Sequence, residues 1–274
     1  MRVVIVGQGS FIAGHLRRAA LETDIDVLSF PHDADISGEI HETDTVINFA
    51  LSPSYKIAEY REDEDCDLRV ARAAARAGAH LIMLSTRRVY PDGARWNARE
   101  DGLCGGDETI YGRNKARSET ILKDLVGLRI AVFRLSNVFG YEYAPDSTRH
   151  TFLAQLSRSL RKNNVIRFDM HPDTRRDFIP VEICAGALVA GLKRRVEGVY
   201  NIGAGFPVRC GDIADWIRKG FGGGNFVCDP PVVRDEFFLN MEKWELEFGY
   251  RPVGADVLQS YCIQLGQKLK CEES

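Results

Sequence analysis

Tyr111 and Lys115 stand four residues apart in the stretch YGRNKARSE. Helix-compatible sequence lies on both sides, so the spacing puts the two side chains on one helical face. An ammonium beside a phenol favours the phenolate, so the tyrosine pKa is expected to fall from about 10 towards neutrality. Such a phenol serves as general acid or base at working pH. On an exposed helix the same spacing is an ordinary solvated face, so the pair needs support from the rest of the chain.

Support begins at the first residues. Arg2 to Val6 is a short β-branched run, followed by Gly7-Gln8-Gly9-Ser10-Phe11-Ile12 and a helical pattern. Strand, glycine turn and helix in that order form the context for a dinucleotide fingerprint, in which backbone amides at a helix start meet a pyrophosphate. Strands are expected at Asp26 to Phe30, Thr45 to Ala50, in the stretch His80 to Tyr90 with hydroxyls at the strand's C-terminal end, at Leu128 to Leu135 and at Tyr200 to Gly203. Thr86 ends its strand, where open parallel sheets bind ligands. The Ala-rich stretch before Gly78 reads as helix, the acidic run Glu62 to Asp67 as its solvated start, and Pro91 to Glu108 as a polar loop. Alternating strands and helices imply a doubly wound parallel sheet of Rossmann type with a small C-terminal α/β lobe. The expected division is residues 1–150 and 151–274, with 180–205 returning to the larger part.

Composition sets outer bounds. The chain has 274 residues, 45% hydrophobic and 27% charged, with a formal net charge of −3. That is enough for one large domain and argues against a general nucleic-acid surface. No apolar run approaches membrane-spanning length. Seven scattered cysteines, none at CxxC spacing, and six dispersed histidines suggest reduced thiols, no disulfide framework and no metal site. With no signal-peptide pattern at the start, a cytoplasmic location is expected.

Several stretches taken together resemble one family. GQGSFIAGHL, VINFA, LIMLSTRRVYP, YGRNKARSE, FRLSNVFG, RRDFIPVEICAGAL, GVYNIGAG and LNMEKWELEFGYRP occur in the order found in extended short-chain dehydrogenase/reductases of the nucleotide-sugar epimerase, dehydratase and 4-keto reductase branch. The resemblance implies NAD or NADP as cofactor, with Gly7, Gly9, Ser10, Phe11 and Ile12 around its pyrophosphate. It implies Asp35 and Ile36 near the adenine and Ala50 beneath the cofactor. Thr86, Tyr111 and Lys115 become the catalytic group, Lys115 also holding the nicotinamide ribose. Asn137 and Arg176 become substrate contacts, Arg176 suiting a diphosphate because guanidinium binds it bidentately. A nucleotide-sugar substrate and a homodimer through helices of the large domain are further implications.

Four departures bear on function. Ser10 adds a side chain where the family backbone comes nearest phosphate. The end of the second strand carries neither the ribose-binding acid nor an arginine, which leaves NAD against NADP open. Arg87-Arg88 stands where dehydratases of the family carry Asp-Glu, which argues against eliminating water. Near Pro230-Pro231, where many members have an arginine, only Arg234 is at hand as a substitute. Cys104 and His150 are candidates for a second acid/base pair, as an epimerase would need, or are packing residues. The expected activity is reduction of a nucleotide-linked 4-keto sugar. The alternatives are a nucleotide-sugar epimerase that retains its NAD and a catalytically silent NAD(P)-binding protein.

Overall fold

Residues 2–6 send successive side chains to opposite faces of a sheet, and both faces are covered. Val3 and Ile5 join one apolar cluster with Ala13, Leu16, Ala187 and Leu188. Val4 and Val6 join another with Leu68, Ala71, Ala74 and Leu122. A parallel strand roofed by helices on both sides has no polar face, which is why this run is apolar throughout.

A computed structural model of the chain describes residues 1–142, 151–168, 170–228 and 235–271. Six strands form its central sheet: β1 (Arg2–Val6), β2 (Asp26–Phe30), β3 (Thr45–Asn48), β4 (His80–Thr86), β5 (Arg129–Leu135) and β6 (Gly198–Ile202). They are all parallel, in the order β2-β1-β3-β4-β5-β6. The helices are α1 (Phe11–Leu21), α2 (Cys66–Ala77), α3 (Ile110–Lys123), α4 (Phe152–Asn163), α5 (Val181–Arg194), α6 (Cys210–Phe221), α7 (Glu242–Phe248) and α8 (Ala255–Cys271). Helices α1 and α5 supply the first cluster; α2 and α3 supply the second. The doubly wound parallel sheet is as expected, and its order reverses between β1 and β3, where such sheets open a crevice.

A third cluster lies outside this sheet. Leu156 and Leu160 of α4, Ile166, Ile213 and Ile217 of α6, and Leu258 and Leu265 of α8 pack together. Trp244 of α7 is fully buried instead against the sheet, edge-on to Phe133 of β5 with ring centroids 6.3 Å apart.

Two local expectations change. The loop from Pro91 to Glu108 contains a strand, Trp96–Ala98, which pairs with Phe238–Leu239 and draws the late chain back towards the end of β4. The acidic run is not a solvated helix start throughout. Glu62–Glu64 form a 3-10 turn, but Asp65 and Asp67 are each only 2% exposed. Asp65 caps α2, accepting from the amides of Asp67 and Leu68, while Gly78 ends the helix at φ 68°.

Candidate active site

The crevice between β1 and β3 is shaped by one glycine. Gly7 sits at φ 85°, and a Cβ there would lie 2.6 Å from the amide nitrogen of Ala50. Only glycine lets the two strand ends close up in this way. The amides of Gly7 and Gln8 both donate to Phe30 O at 3.0 Å, and Phe49 donates to Val6 O at 2.8 Å. Ser10 is the N-cap of α1 without a side-chain capping bond, and the first turn contains no acid. A Cβ at Gly9 would meet nothing within 4 Å, so space is open above the turn. Asp35 is exposed and accepts from the Ser37 amide at 3.0 Å. Ile36 is 2% exposed, inside the apolar cluster with Val4 and Val6.

The tyrosine and lysine lie on α3, whose N-cap Thr109 accepts from the Gly112 amide. A Cβ on Gly112 would lie 2.5 Å from Arg88 O, so glycine allows this helix to close on the turn after β4. Lys115 is buried, and its ammonium donates to Asp67 Oδ2 at 2.5 Å and to Leu84 O at 3.0 Å. Asn48 donates to the other oxygen of Asp67 at 2.7 Å. Burial alone would push the Lys115 ammonium down, but Asp67, followed by Tyr111 and Tyr55, outweighs it and holds the charge well above the usual lysine range.

This corrects the expected acidity of the tyrosine. Burial pushes the Tyr111 phenol above its ordinary value of 10.0, Lys115 pulls it down, and Asp67 pushes it up again. Arg88 and a hydrogen bond with Thr86 also favour the phenolate but do not prevail. The expectation counted the ammonium and left out the burial of the phenol, the largest influence, as well as the carboxylate of Asp67. Thr86 itself accepts from the Arg88 amide at 3.3 Å.

Ile12, Thr86, Tyr111, Asn137 and Arg176 line one cavity of about 770 Å³, although they come from five separate motifs. Gly7, Asp35, Ile36 and Lys115 do not line it. Its lining also brings together residues that no sequence pattern groups. Asp235, at φ 37°, accepts from Arg87 Nη1 at 2.7 Å and also from Arg95, and lies 3.9 Å from both Arg88 and Arg176. Arg176 Nε donates to Asp235 O at 3.1 Å, and Arg88 donates to Asp107 at 2.6 Å. Burial alone would raise the Asp235 carboxyl, but Arg87, with Arg176 and Arg95 behind it, holds it at about 2. That depressed value makes a pH prediction. Asp235 contributes its full stability above its ordinary pKa of 3.8 and loses it as pH falls towards about 2. Asp235→Asn is thus expected to cost about 2–3 kcal/mol at neutral pH, by leaving the buried Arg87 unpaired. Urea unfolding of both proteins should show that gap closing on acidification below pH ~4; a gap constant with pH would refute the assignment.

Cys104 lies away from the cavity, with Arg134 donating to its sulfur at 3.3 Å and Glu119 Oε2 at 3.9 Å. Burial, then Glu119, pushes its thiol up. His150, Pro230, Pro231 and Arg234 lie outside the described residues. Among the described residues, no three or more His, Cys, Asp or Glu side chains cluster as a metal site, and no helix is long and apolar enough to cross a membrane.

A doubly wound parallel sheet whose order reverses between β1 and β3, with Thr86 and Tyr111 lining a cavity and Lys115 buried on the helix that carries Tyr111, is the α/β architecture of short-chain dehydrogenase type. Residues 3–203 match the model of the NAD dependent epimerase/dehydratase family, and the chain belongs to that family. A curated relative, dTDP-L-rhamnose 4-epimerase from Burkholderia thailandensis, is 24% identical over 178 residues, which are 52% of this chain and 49% of that protein. The match therefore spans about half the length of that relative. Among solved structures, UDP-N-acetylglucosamine 4-epimerase from Methanobrevibacter ruminantium M1, in complex with UDP-N-acetylmuramic acid, superposes with a TM-score of 0.84 at 17% identity, covering 100% of this chain and 99% of that one. The dTDP-4-dehydrorhamnose reductase from Yersinia enterocolitica gives 0.75 at 16% identity, covering 98% and 99%. An epimerase and a reductase share this fold, so the fold does not choose between them.

Proposed function

We propose that the chain is an NAD(P)-dependent reductase of a nucleotide-linked 4-keto sugar. One observation supports the choice of reduction: Thr86 and Tyr111 line the cavity together, whereas Cys104, a candidate for the second acid/base group of an epimerase, lies away from it. Reduction of a ketone needs one proton for the carbonyl oxygen, which a single phenol supplies.

The roles follow from position. The open turn at Gly7 and Gly9, the uncapped start of α1 with Ser10, Phe11 and Ile12, and Ala50 below suit a dinucleotide pyrophosphate, which helix N-termini favour. Asp35 would stand on the solvent side of the adenine end. When bound, the nicotinamide supplies hydride to the keto carbon. Tyr111 gives its proton to the keto oxygen, and Thr86 hydrogen-bonds the same oxygen. Lys115 stabilises the phenolate that remains and has a third N–H for the ribose hydroxyls, since Asp67 and Leu84 O use two. Asn137 and Arg176 hold the substrate, Arg176 as the diphosphate ligand. Dehydration is disfavoured because residues 87 and 88 bring guanidinium groups, not acids, to the place beside Thr86.

An epimerase is the second reading, favoured by the name of the 24%-identical relative. The deciding experiment incubates the protein with NADH or NADPH and a panel of 4-keto sugar nucleotides, following loss of the reduced cofactor's near-ultraviolet absorbance. Stoichiometric oxidation with at least one of them is expected. No oxidation with any, together with NAD that stays bound through purification, would replace the reductase by the epimerase.

A further inference from the structure

Arg88 is a cavity cation to which the proposed reaction gives no task. It follows Thr86 by two residues, in the 3-10 turn Arg87–Val89, and lines the cavity with Thr86, Tyr111, Asn137 and Arg176. Its backbone lies against α3 at Gly112, the residue after Tyr111, where a Cβ would come within 2.5 Å of Arg88 O. Its charge acts on the Tyr111 phenol, so the guanidinium stands at the reacting end of the cavity.

The other arginines of the turn and its surroundings are already paired. Arg87 gives both terminal nitrogens to Asp235 and lies over the ring of Phe237, 4.0 Å from its centroid. Arg95 is held by Asp235 and Asp92. Arg88 instead donates from Nη1 alone, to Asp107 Oδ2 at 2.6 Å. The other oxygen of Asp107 accepts from the Thr109 amide at 3.0 Å and from the Thr109 hydroxyl, so the acid holds the guanidinium by one nitrogen. Among the described residues, Nε and Nη2 of Arg88 make no hydrogen bond, and Nη2 is 3.9 Å from Asp235 Oδ2, too far for one. These two nitrogens form one edge of the fork, the geometry that pairs with a carboxylate, on a side chain 33% exposed. Arg176 Nη2 lies 3.9 Å from the same oxygen of Asp235, so Arg88 and Arg176 are neighbours.

We propose that Arg88 selects a substrate whose sugar bears a carboxylate at C6, a nucleoside-diphosphate 4-keto uronate, and that its Nε–Nη2 edge binds that carboxylate. The proposal rests on the placement above, with C4 at Thr86 and Tyr111 and the diphosphate at Arg176. In a hexopyranose C6 is carried by the carbon next to C4, and C6 and the anomeric oxygen flank the ring oxygen. A C6 carboxylate therefore lies close to the reacting carbonyl and on the same edge of the ring as the diphosphate. Arg88, beside Tyr111 and next to Arg176, matches that arrangement. A neutral group at C6 would desolvate the bare edge without pairing it, which costs affinity, whereas a carboxylate pairs with it bidentately. The acids that line the cavity do not fill this place: Asp107, Asp235 and Asp92 are engaged by arginines, and Glu108 is exposed to solvent that screens it.

The test reads binding and needs no turnover. With NADH or NADPH at saturation, calorimetry compares UDP- and dTDP-glucuronate with UDP- and dTDP-glucose on wild type, R88Q, R88K and R176Q. Wild type should bind the glucuronate of at least one nucleotide about tenfold more tightly than the matching glucose, as one charge-assisted pair allows. R88Q should lose that preference, with affinity for the glucose ligand changed less than about threefold. R88K, which keeps the charge but not the fork, should retain part of it. R176Q should weaken both ligands alike. Glucuronates bound no more tightly than glucose by the wild type, or an R88Q that weakens the two equally, would overturn the proposal. The wild-type comparison decides alone should R88Q not fold. A failed keto-sugar panel with the glucuronate preference intact would reject the reductase and leave the acidic sugar standing. Cofactor oxidation by a keto hexose with no such preference would reject the acidic sugar alone.

Discussion

Tyr111→Phe is expected to lower kcat about 10³-fold on the substrate that the wild type turns over, with KM changed less than about threefold, as befits a group that acts as general acid. The substitution removes one oxygen and little else. The ring keeps its edge-on contact with Tyr55, 6.4 Å between centroids, so packing of α3 against the turn at Pro53–Lys56 is retained. Because the phenol gives up its proton only on the way to the transition state, kcat and kcat/KM should fall together. The pH profile carries the sign. Burial, Lys115 and Asp67 together leave the Tyr111 pKa above its ordinary value. The active form is the protonated one, so wild-type kcat/KM should hold through neutral pH and decline only as pH rises through that elevated value. The residual activity of Y111F should lack this alkaline limb. Retention of more than a tenth of wild-type kcat would return Tyr111 to the status of a helix-face residue.

What the sequence made legible follows the range over which each signal acts. The apolar run at residues 2–6, the glycine at position 7 and the four-residue spacing of Tyr111 and Lys115 are local patterns. Local geometry determined their outcome: a strand covered on both faces, a turn at φ 85°, and two side chains on α3. The ordered motifs extended this to the family, because eight short patterns in sequence carry more information than any one of them. Asp67 was misread for the opposite reason. In a run reading EDEDCD it looks solvated, and only the approach of α2 to α3 puts a lysine against it. Asp65 did carry a local signal, as an acid just before an Ala-rich helix, the position of an N-cap. Arg95 and Asp235 meet across 140 residues through the pairing of Trp96–Ala98 with Phe238–Leu239, and no periodicity in either segment announces that contact. The same blindness explains the wrong sign of the tyrosine shift: sequence spacing counts charges along a helix, while a buried group responds to charges from every element around it.

The acid and the lysine also make a folding prediction, larger than that for Asp235. Lys115→Met is expected to remove activity and, at neutral pH, about 3–5 kcal/mol of stability, because it leaves the carboxylate of Asp67 buried without its cation. The hydrogen bond from Asn48 offsets part of that loss but supplies no net charge. The pH dependence should run opposite to that of Asp235. In the intact chain burial already raises the Asp67 carboxyl while Lys115 pulls it down, and loss of Lys115 leaves burial unopposed by that cation, so the folded pKa lies further above the unfolded value. A group raised in this way is accommodated below its unfolded pKa and becomes costly as pH rises through the folded one. K115M should therefore approach wild-type stability near pH 4 and fall behind towards pH 8, within the range where a carboxyl raised by burial titrates. Adding D67N to K115M removes the stranded charge and should recover most of the loss at neutral pH, a coupling that two independent sites would not give. Chemical denaturation of the four proteins of this cycle at two pH values measures both effects. A deficit in K115M that ignores pH, or a double variant no more stable than K115M, would mean that the pair is held by packing and that its charges do not matter to the fold.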